Sequence, residues 1–399
     1  MIYKFFLLKR QLEDLLILPF IWIGRKLKVQ LIDVNPFDIL LLFSSYHIGG
    51  AEKVHLQIAR ALKGRKALVV FTKKSTAAVY KQEFIETGHQ ILDISKFTDN
   101  KIQYWNNLIF RGAVASLVEN QKSKVIVFNG QSNFGYKLSP WLNKSIVQIE
   151  LIHAFCSFSW IRIPFLSFYQ KTIMISNRSI AEHKTQYQKI GVPEHEVGKI
   201  MYLPNGIPLP KLMETKEIDS VKLKVLYVGR ATAEKRVHLV AAIARSASLE
   251  GIPCAFSMVG DVQNTIPKDD QSYVHFYGAI NNAETLNTIY AEHDVLIMTS
   301  LHEGFPLTIM EGMASGCIIL STPVGDIPYH VHHKKNGYLF SSTTDENKIV
   351  EEGLMYLKQI MEKLDLFKEM SNNNLTYAKK EFDLSIFEHR YQTIFDQLK

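Results

Sequence analysis

Short apolar runs that alternate with amphipathic segments, twice over, constrain this chain more than any single residue does. Turn residues bound Ile39–Phe43, Ala67–Thr72, Lys124–Phe128, Ile146–Ile152 and Thr172–Ser176, which are predicted strands. Glu52–Leu62, Ile102–Asn120 and Asn177–Ile190 carry apolar residues at helical spacing. The scheme then repeats, with predicted strands Lys224–Val228, Ala255–Val259, Val274–Tyr277, Val295–Met298 and Ile318–Ser321. Predicted helices Arg236–Leu249, Ala283–His293, Pro306–Ala314 and Asp345–Ile360 separate and follow them. Unbroken apolar strands between helices read as parallel sheets covered on both faces. A length of 399 residues is too great for one ordinary core. The expectation is therefore α/β, with two doubly wound, Rossmann-like domains facing each other across a cleft.

The stretch Glu303-Gly-Phe-Pro-Leu-Thr-Ile-Met-Glu311 places two carboxylates seven residues apart. On an uninterrupted helix they would stand about 80° out of register and roughly 12 Å apart along the axis. Gly304 and Pro306 argue instead for a turn that leads into a helix starting near Pro306 or Leu307. Glu303 then precedes the helix and Glu311 lies in its second turn, so both can face one ligand. Between them lie the free amides of a helix start, which suit phosphate. Pro306 has no N–H, so Leu307 and Thr308 are the donors, with Gly304 and Phe305 in the preceding turn. Acceptors on both sides of an anion site fit a nucleotide sugar.

With its continuation Gly312-Met-Ala-Ser-Gly-Cys317 and Thr322-Pro-Val-Gly-Asp-Ile327, this stretch resembles the donor-site E-x7-E signature of the family 4 glycosyltransferases. The resemblance implies a GT-B fold whose terminal helix crosses back onto the first domain. It also implies retention of configuration at the transferred sugar. In the family, the counterpart of Glu311 accepts ribose hydroxyls. Glu303 would meet the sugar and stabilise positive character at its anomeric carbon.

Strand-end loops supply the rest of the candidate site, because such sheets bind ligands beyond the carboxyl ends of their strands. Gly229-Arg230 follows the first strand of the second half, and Lys235 comes five residues after Arg230. Fixed cations there would stabilise a departing pyrophosphate. Arg236 could exchange roles with Arg230, but the family pattern of Gly-Arg followed by Lys favours Arg230 and Lys235. Gly260, in Val259-Gly260-Asp261, would border the base. In the first half, Gly49 and Gly50 follow a strand and would let backbone approach a diphosphate. His153, closing Ile146–Ile152, could orient a sugar hydroxyl or assist proton movement near pH 7. The resemblance implies that it contacts the donor sugar.

No metal or other cofactor is called for. Asp269-Asp270 lies in a polar loop, and His330, His332 and His333 lack partners at zinc-ligand spacing. Three cysteines without metal-like spacing fit a reducing cytoplasm. The net charge of +7 is unevenly placed: residues 1–210 hold 27 Lys and Arg against 14 Asp and Glu, whereas residues 211–399 hold 19 against 25. A basic first half with no nucleic-acid recognition motif points to an anionic membrane or a lipid-phosphate acceptor.

Residues 1–34 form an apolar and basic segment. Its uncharged run Leu15–Gly24 is half of what a bilayer span needs. An interfacial helix flanked by Arg25, Lys26 and Lys28 is the preferred reading, and an extra helix packed on the first domain is the alternative. Residues 35–205 are read as the acceptor domain, 206–221 as a linker, 222–383 as the nucleotide-sugar domain and 384–399 as a C-terminal helix. The whole reads as a retaining glycosyltransferase of cell-envelope glycan synthesis, peripheral on the cytoplasmic face of the membrane. It would use a nucleotide-diphosphate sugar, a UDP-sugar by preference, and a lipid-linked or polysaccharide acceptor. A sugar-nucleotide epimerase of the same fold and a non-catalytic sugar-nucleotide-binding subunit are the alternatives.

Overall fold

The computed structural model describes residues 2–31, 34–47, 49–75, 80–210, 216 and 222–398, with backbone alone at 28–31. It divides into two compact units, residues 1–204 with 387–399, and residues 205–386. Part of the expected linker, residues 211–215 and 217–221, lies outside the described residues, as does the side chain of Lys28. Ile207 is buried in the second unit, and the Lys216 ammonium donates to the Tyr290 carbonyl at 2.8 Å.

The first unit holds a seven-stranded sheet. Its strands are β1 (Ile39–Phe43), β2 (Ala67–Phe71), β3 (Gln90–Asp93), β4 (Ile126–Asn129), β5 (Val147–Ile152), β6 (Lys171–Met174) and β7 (Ile200–Tyr202). They run parallel in the order β3-β2-β1-β4-β5-β6-β7. The second unit holds a six-stranded parallel sheet of β8 (Leu223–Val228), β9 (Cys254–Val259), β10 (Val274–Gly278), β11 (Val295–Met298), β12 (Ile318–Ser321) and β13 (Gly337–Leu339). Its order is β10-β9-β8-β11-β12-β13. Each chain path winds outward from its first strand, then crosses to the other side. That reversal opens a crevice between the first and fourth strands, where doubly wound sheets hold ligands.

Sequence periodicity locates the central strands because β1, β2, β4, β8, β11 and β12 are buried almost throughout. It does not locate β3, β7 and β13, which all lie at sheet edges. β3 reads Gln-Ile-Leu-Asp and is only half buried, so it lacks the apolar run of a central strand. The helix Leu364–Glu381 was likewise not expected; its first residues carry the charges Asp365 and Lys368 between apolar positions. The expected strand Thr172–Ser176 runs one residue earlier at its start and stops at Met174, where Ser176 becomes the cap of the next helix.

The helix Ile2–Leu31 lies along the helix Tyr104–Glu119. Two glycines set the crossing. A Cβ on Gly24 would stand 1.9 Å from the Ile109 carbonyl oxygen, and one on Gly112 would stand 2.0 Å from that of Ile21. Arg25 closes the contact by pairing with Glu119. Tyr3 and Ile21 are buried by this packing, while Phe5, Leu8, Leu12, Leu15 and Leu16 stay exposed along another face. No helix among the described residues is long and apolar enough to cross a membrane. The C-terminal helix Leu384–Gln397 joins the first unit from Phe387 onward. There Gln392 donates to the Ala61 carbonyl at 2.9 Å, and Arg65 pairs with Asp396 at 2.9 Å.

Candidate functional site

In the second unit the loops after β8 and β11 leave adjacent strands on either side of the switch point, and hydrogen bonds clamp them together. The Leu301 amide donates to the Glu234 carbonyl at 2.7 Å. Arg236 Nε donates to the Thr299 carbonyl at 2.8 Å, and Thr299 Oγ1 donates to the Arg236 carbonyl at 3.0 Å. Arg236 is buried, with a left-handed backbone at φ 46°. Its guanidinium is therefore spent on loop carbonyls. Arg230 remains exposed at the end of β8.

The same clamp delivers Lys235 to Glu303. Their side chains form an ion pair and are 15% and 9% exposed. The buried phenol of Tyr227 donates to the Arg230 carbonyl at 3.2 Å. Burial and the charge of Glu303 push its pKa well up, so it stays a donor.

Two glycines let further loops close on this cluster. Gly325, at φ 59°, would bring a Cβ to 2.1 Å from the Gly304 carbonyl oxygen, which accepts the Asp326 amide at 2.7 Å. Gly260, at φ 130°, would bring one to 2.0 Å from the Gly229 carbonyl oxygen. The need for glycine at position 260 is thus met by backbone packing between the β8 and β9 loops.

The helix expected after the Gly-Phe-Pro turn runs Leu307–Ala314, with Pro306 as its cap. Its first bonded amide is that of Ile309, donating to the Pro306 carbonyl at 3.1 Å. The Leu307 and Thr308 amides have no acceptor in the helix, as first-turn amides cannot. Thr308 Oγ1 is also buried without a partner. The Phe305 ring faces the other way, stacked on His330 at 4.0 Å in the core, so only its backbone faces the turn. Glu311 receives a hydrogen bond of 3.0 Å from the hydroxyl of Tyr290, a fully buried residue of the helix Ala283–Glu292. Burial and the Glu311 charge raise the Tyr290 pKa well above its ordinary value, so this donor persists at any physiological pH.

In the first unit, His153 directly follows β5. Its amide donates to Gln131 Oε1 at 3.0 Å, and its Nε2 lies 2.9 Å from Nε2 of His55. His55 sits on the helix Gly50–Ala61, stacked on Phe43 at 4.3 Å. Burial lowers both imidazoles, His153 to about 4. Both are therefore neutral near pH 7, and proton exchange by His153 near that pH is not what this environment favours. Nδ1 of His55 is buried without a partner. A buried N–H left orphaned is rarer than a bare lone pair. Hydrogen bonding thus assigns the proton to His55 Nε2, which donates to His153 Nε2. His153 then carries its own proton on Nδ1, as a donor.

The Gly49-Gly50 turn opens the helix Gly50–Ala61. Gly49 has extended backbone, and a Cβ there would meet the Glu52 carboxylate at 2.2 Å. Around Gly50 there is open space. Glu52 is buried, accepts from Ser45 Oγ at 3.2 Å and lies 3.4 Å from His47 Nε2. Among the described residues, no three metal-ligating side chains cluster.

Residues 222–359 match the family model described as Glycosyl transferases group 1. An uncharacterised 41.2 kDa protein from the cps region of Klebsiella pneumoniae is 25% identical over 244 residues, covering 59% of this chain and 62% of that protein. The O-antigen biosynthesis glycosyltransferase WbnH of Escherichia coli is 26% identical over 170 residues, 42% of this chain and 46% of WbnH. The chain therefore spans less than two thirds of the length of these curated relatives. Among solved structures, Anabaena HepE in complex with UDP is similar at a TM-score of 0.69 and 16% identity, over 90% of this chain and 100% of HepE. Two doubly wound parallel sheets shared with that neighbour make this the GT-B fold.

Arg230, Lys235, Glu303 and Glu311 stand out in the sequence because each lies in a local motif. Tyr290, Tyr227 and His55 do not. The partners of Tyr290 and His55 stand 21 and 98 residues away, and Tyr227 reaches only a backbone carbonyl, which no side-chain motif marks.

Proposed function

We propose that this chain is a retaining glycosyltransferase that moves a sugar from a UDP-sugar to a lipid-linked or polysaccharide acceptor in cell-envelope glycan synthesis. The observation that carries the reading is the Lys235–Glu303 pair at the switch point of a group 1 glycosyl transferase domain, beside the free amides of Leu307 and Thr308. In this reading Arg230, Lys235 and those amides hold the diphosphate. Glu311, fixed by Tyr290, accepts the ribose hydroxyls, and Glu303 faces the sugar. The bond from the anomeric carbon to the diphosphate oxygen breaks while an acceptor hydroxyl bonds to that carbon and gives its proton to the departing diphosphate oxygen. The leaving diphosphate gains charge against cations already in place, which lowers the barrier. The UDP complex of HepE and the O-antigen role in the name of WbnH support the choice of donor and pathway class.

The exposed apolar face of Ile2–Leu31 supports attachment to the cytoplasmic face of an anionic membrane. Leu16 is 78% exposed and Phe5 is 64% exposed on that helix. Lys26 stacks on the Trp22 ring at 3.8 Å, a pairing suited to the headgroup layer.

The test is a screen of UDP-, GDP- and ADP-sugars with the full chain, following release of the nucleoside diphosphate with and without membrane extract. Turnover restricted to UDP-sugars is expected. Absence of turnover with every donor, in the presence of extract, would overturn the reading.

A further inference from the structure

A cavity of about 160 Å³ lies in the first unit at the carboxyl ends of β2 and β4. Lys73 enters it just after β2, Asn133 after β4, and Lys101 from the connection beyond β3. Lys137 and Arg111 complete a set of four cations among the described residues of the wall, against Asp99 as the one carboxylate among them. Asp99 is itself engaged, accepting the Lys74 amide at 3.2 Å.

Arg111 is the unusual member. It is 3% exposed, yet among the described residues no carboxylate lies within ion-pair distance of it. Buried charges are ordinarily paired, because desolvation otherwise costs several kcal/mol. Its Nε and Nη2 are bound to Asn107 Oδ1, at 3.0 and 2.7 Å, and Nη2 also reaches the Tyr104 hydroxyl at 2.9 Å. The same hydroxyl receives Lys137 Nζ at 3.2 Å. One phenol oxygen thus serves two cations, and Asp14 and Glu13 act on Arg111 only from beyond ion-pair distance. The two charges lower the Tyr104 pKa even though burial opposes this. Asn133 Oδ1, in the same wall, is buried without a partner.

We propose that this cavity binds a phosphate ester, the anion completing the Arg111–Lys137–Tyr104 cluster. The donor set selects phosphate over carboxylate. The edge of Arg111 that would grip a carboxylate in a two-point fork is already held by Asn107. What remains is Nη1, with its two N–H groups on one nitrogen, and mobile lysine ammoniums, which suit a tetrahedral anion approached from several directions. Exposed Ile102 and Trp105 stand beside this segment and offer an apolar surface to the rest of the ester. Resting on the glycosyltransferase reading, the ester is the phosphate of the acceptor, supplied either by a lipid phosphate or by a soluble sugar phosphate.

Calorimetry with the full chain tests this, using sn-glycerol 3-phosphate, dihexanoyl phosphatidic acid and methyl glucuronide as probes and UDP as a separate ligand. Saturable binding of glycerol 3-phosphate is expected, weakened at least tenfold in Lys73→Met/Lys137→Met with UDP affinity unchanged. Lys101→Met, a change at an exposed side chain, should weaken it severalfold if the double variant does not fold. Tighter binding of the short-chain phosphatidic acid would assign the site to a lipid phosphate, and equal binding to a soluble one. Unchanged phosphate binding in variants that still bind UDP would overturn the proposal, as would equal or tighter binding of the glucuronide. Failure of UDP alone to bind would count against the glycosyltransferase reading and leave the phosphate result standing.

Discussion

Nε2 of His55 and Nε2 of His153 lie 2.9 Å apart, each imidazole held neutral by burial. His55 acts through His153: by donating from Nε2 it leaves the proton of His153 on Nδ1. His55→Phe should therefore lower kcat about tenfold or more with little change in UDP affinity. His55→Gln, which can still donate, should recover part of the loss. Steady-state kinetics that separate kcat from KM check this.

The same two residues predict acid sensitivity. Unfolded histidine takes up a proton near its ordinary value of about 6.5, whereas folded His153 does so near 4. Between those values the unfolded chain binds more protons, so stability falls as pH drops from about 6.5 towards 4. His183 and His330, also held near 4 by burial, add to the effect. Each group contributes up to about 1.4 kcal/mol per pH unit across this window. Urea unfolding at pH 7 and pH 5 measures the slope, which His153→Asn should make shallower.

Lys235 and Glu303 form an ion pair whose side chains are mostly shielded from solvent. Lys235→Met should reduce turnover by on the order of 10²- to 10³-fold, as loss of a donor that stabilises developing charge does. It should also destabilise the second unit by about 1–3 kcal/mol, because Glu303 is left partly buried and unpaired. Adding Glu303→Gln should restore stability without restoring turnover. A double-mutant cycle in urea separates the two effects.

Tyr290→Phe removes the 3.0 Å hydrogen bond to Glu311 and nothing else of its shape. Stability should fall by about 1 kcal/mol. UDP affinity should weaken severalfold, because Glu311 loses the group that aims it. Titration of UDP into wild type and variant checks the second outcome.

Leu12→Glu with Leu16→Glu tests the exposed face of the N-terminal helix without disturbing Tyr3, Ile21 or the Gly24–Gly112 crossing. Flotation with phosphatidylglycerol vesicles should show loss of binding, with Tm unchanged within about 2 °C. Removing the whole helix would be a poorer test, since it would uncover the helix Tyr104–Glu119.

Much of the fold was legible in the sequence, because a strand buried on both faces has to be apolar throughout, as Ile39–Phe43 and Ile318–Ser321 are. Edge strands escape that requirement, so Gln90–Asp93 and Ile200–Tyr202 carried no comparable signal. The candidate site was legible where a motif is local: Gly304 and Pro306 announce a broken helix between Glu303 and Glu311. It was not legible where role depends on tertiary partners. Arg230 and Arg236 look interchangeable in sequence, and only the clamp onto Thr299 shows that Arg236 is consumed by the loop. His55 and Tyr290 are ordinary helix residues until the fold brings His153 and Glu311 against them.

Calorimetric titration of UDP, GDP and ADP into wild type and Glu311→Ala is the most direct test of the central claim that the second unit is a nucleotide-sugar site. UDP should bind wild type in preference to GDP and ADP, and the variant should lose at least tenfold in affinity while still unfolding cooperatively, with Tm lowered by about 2–6 °C for the lost Tyr290 hydrogen bond. Binding of none of the three, or equal UDP affinity in the two proteins, would contradict the account.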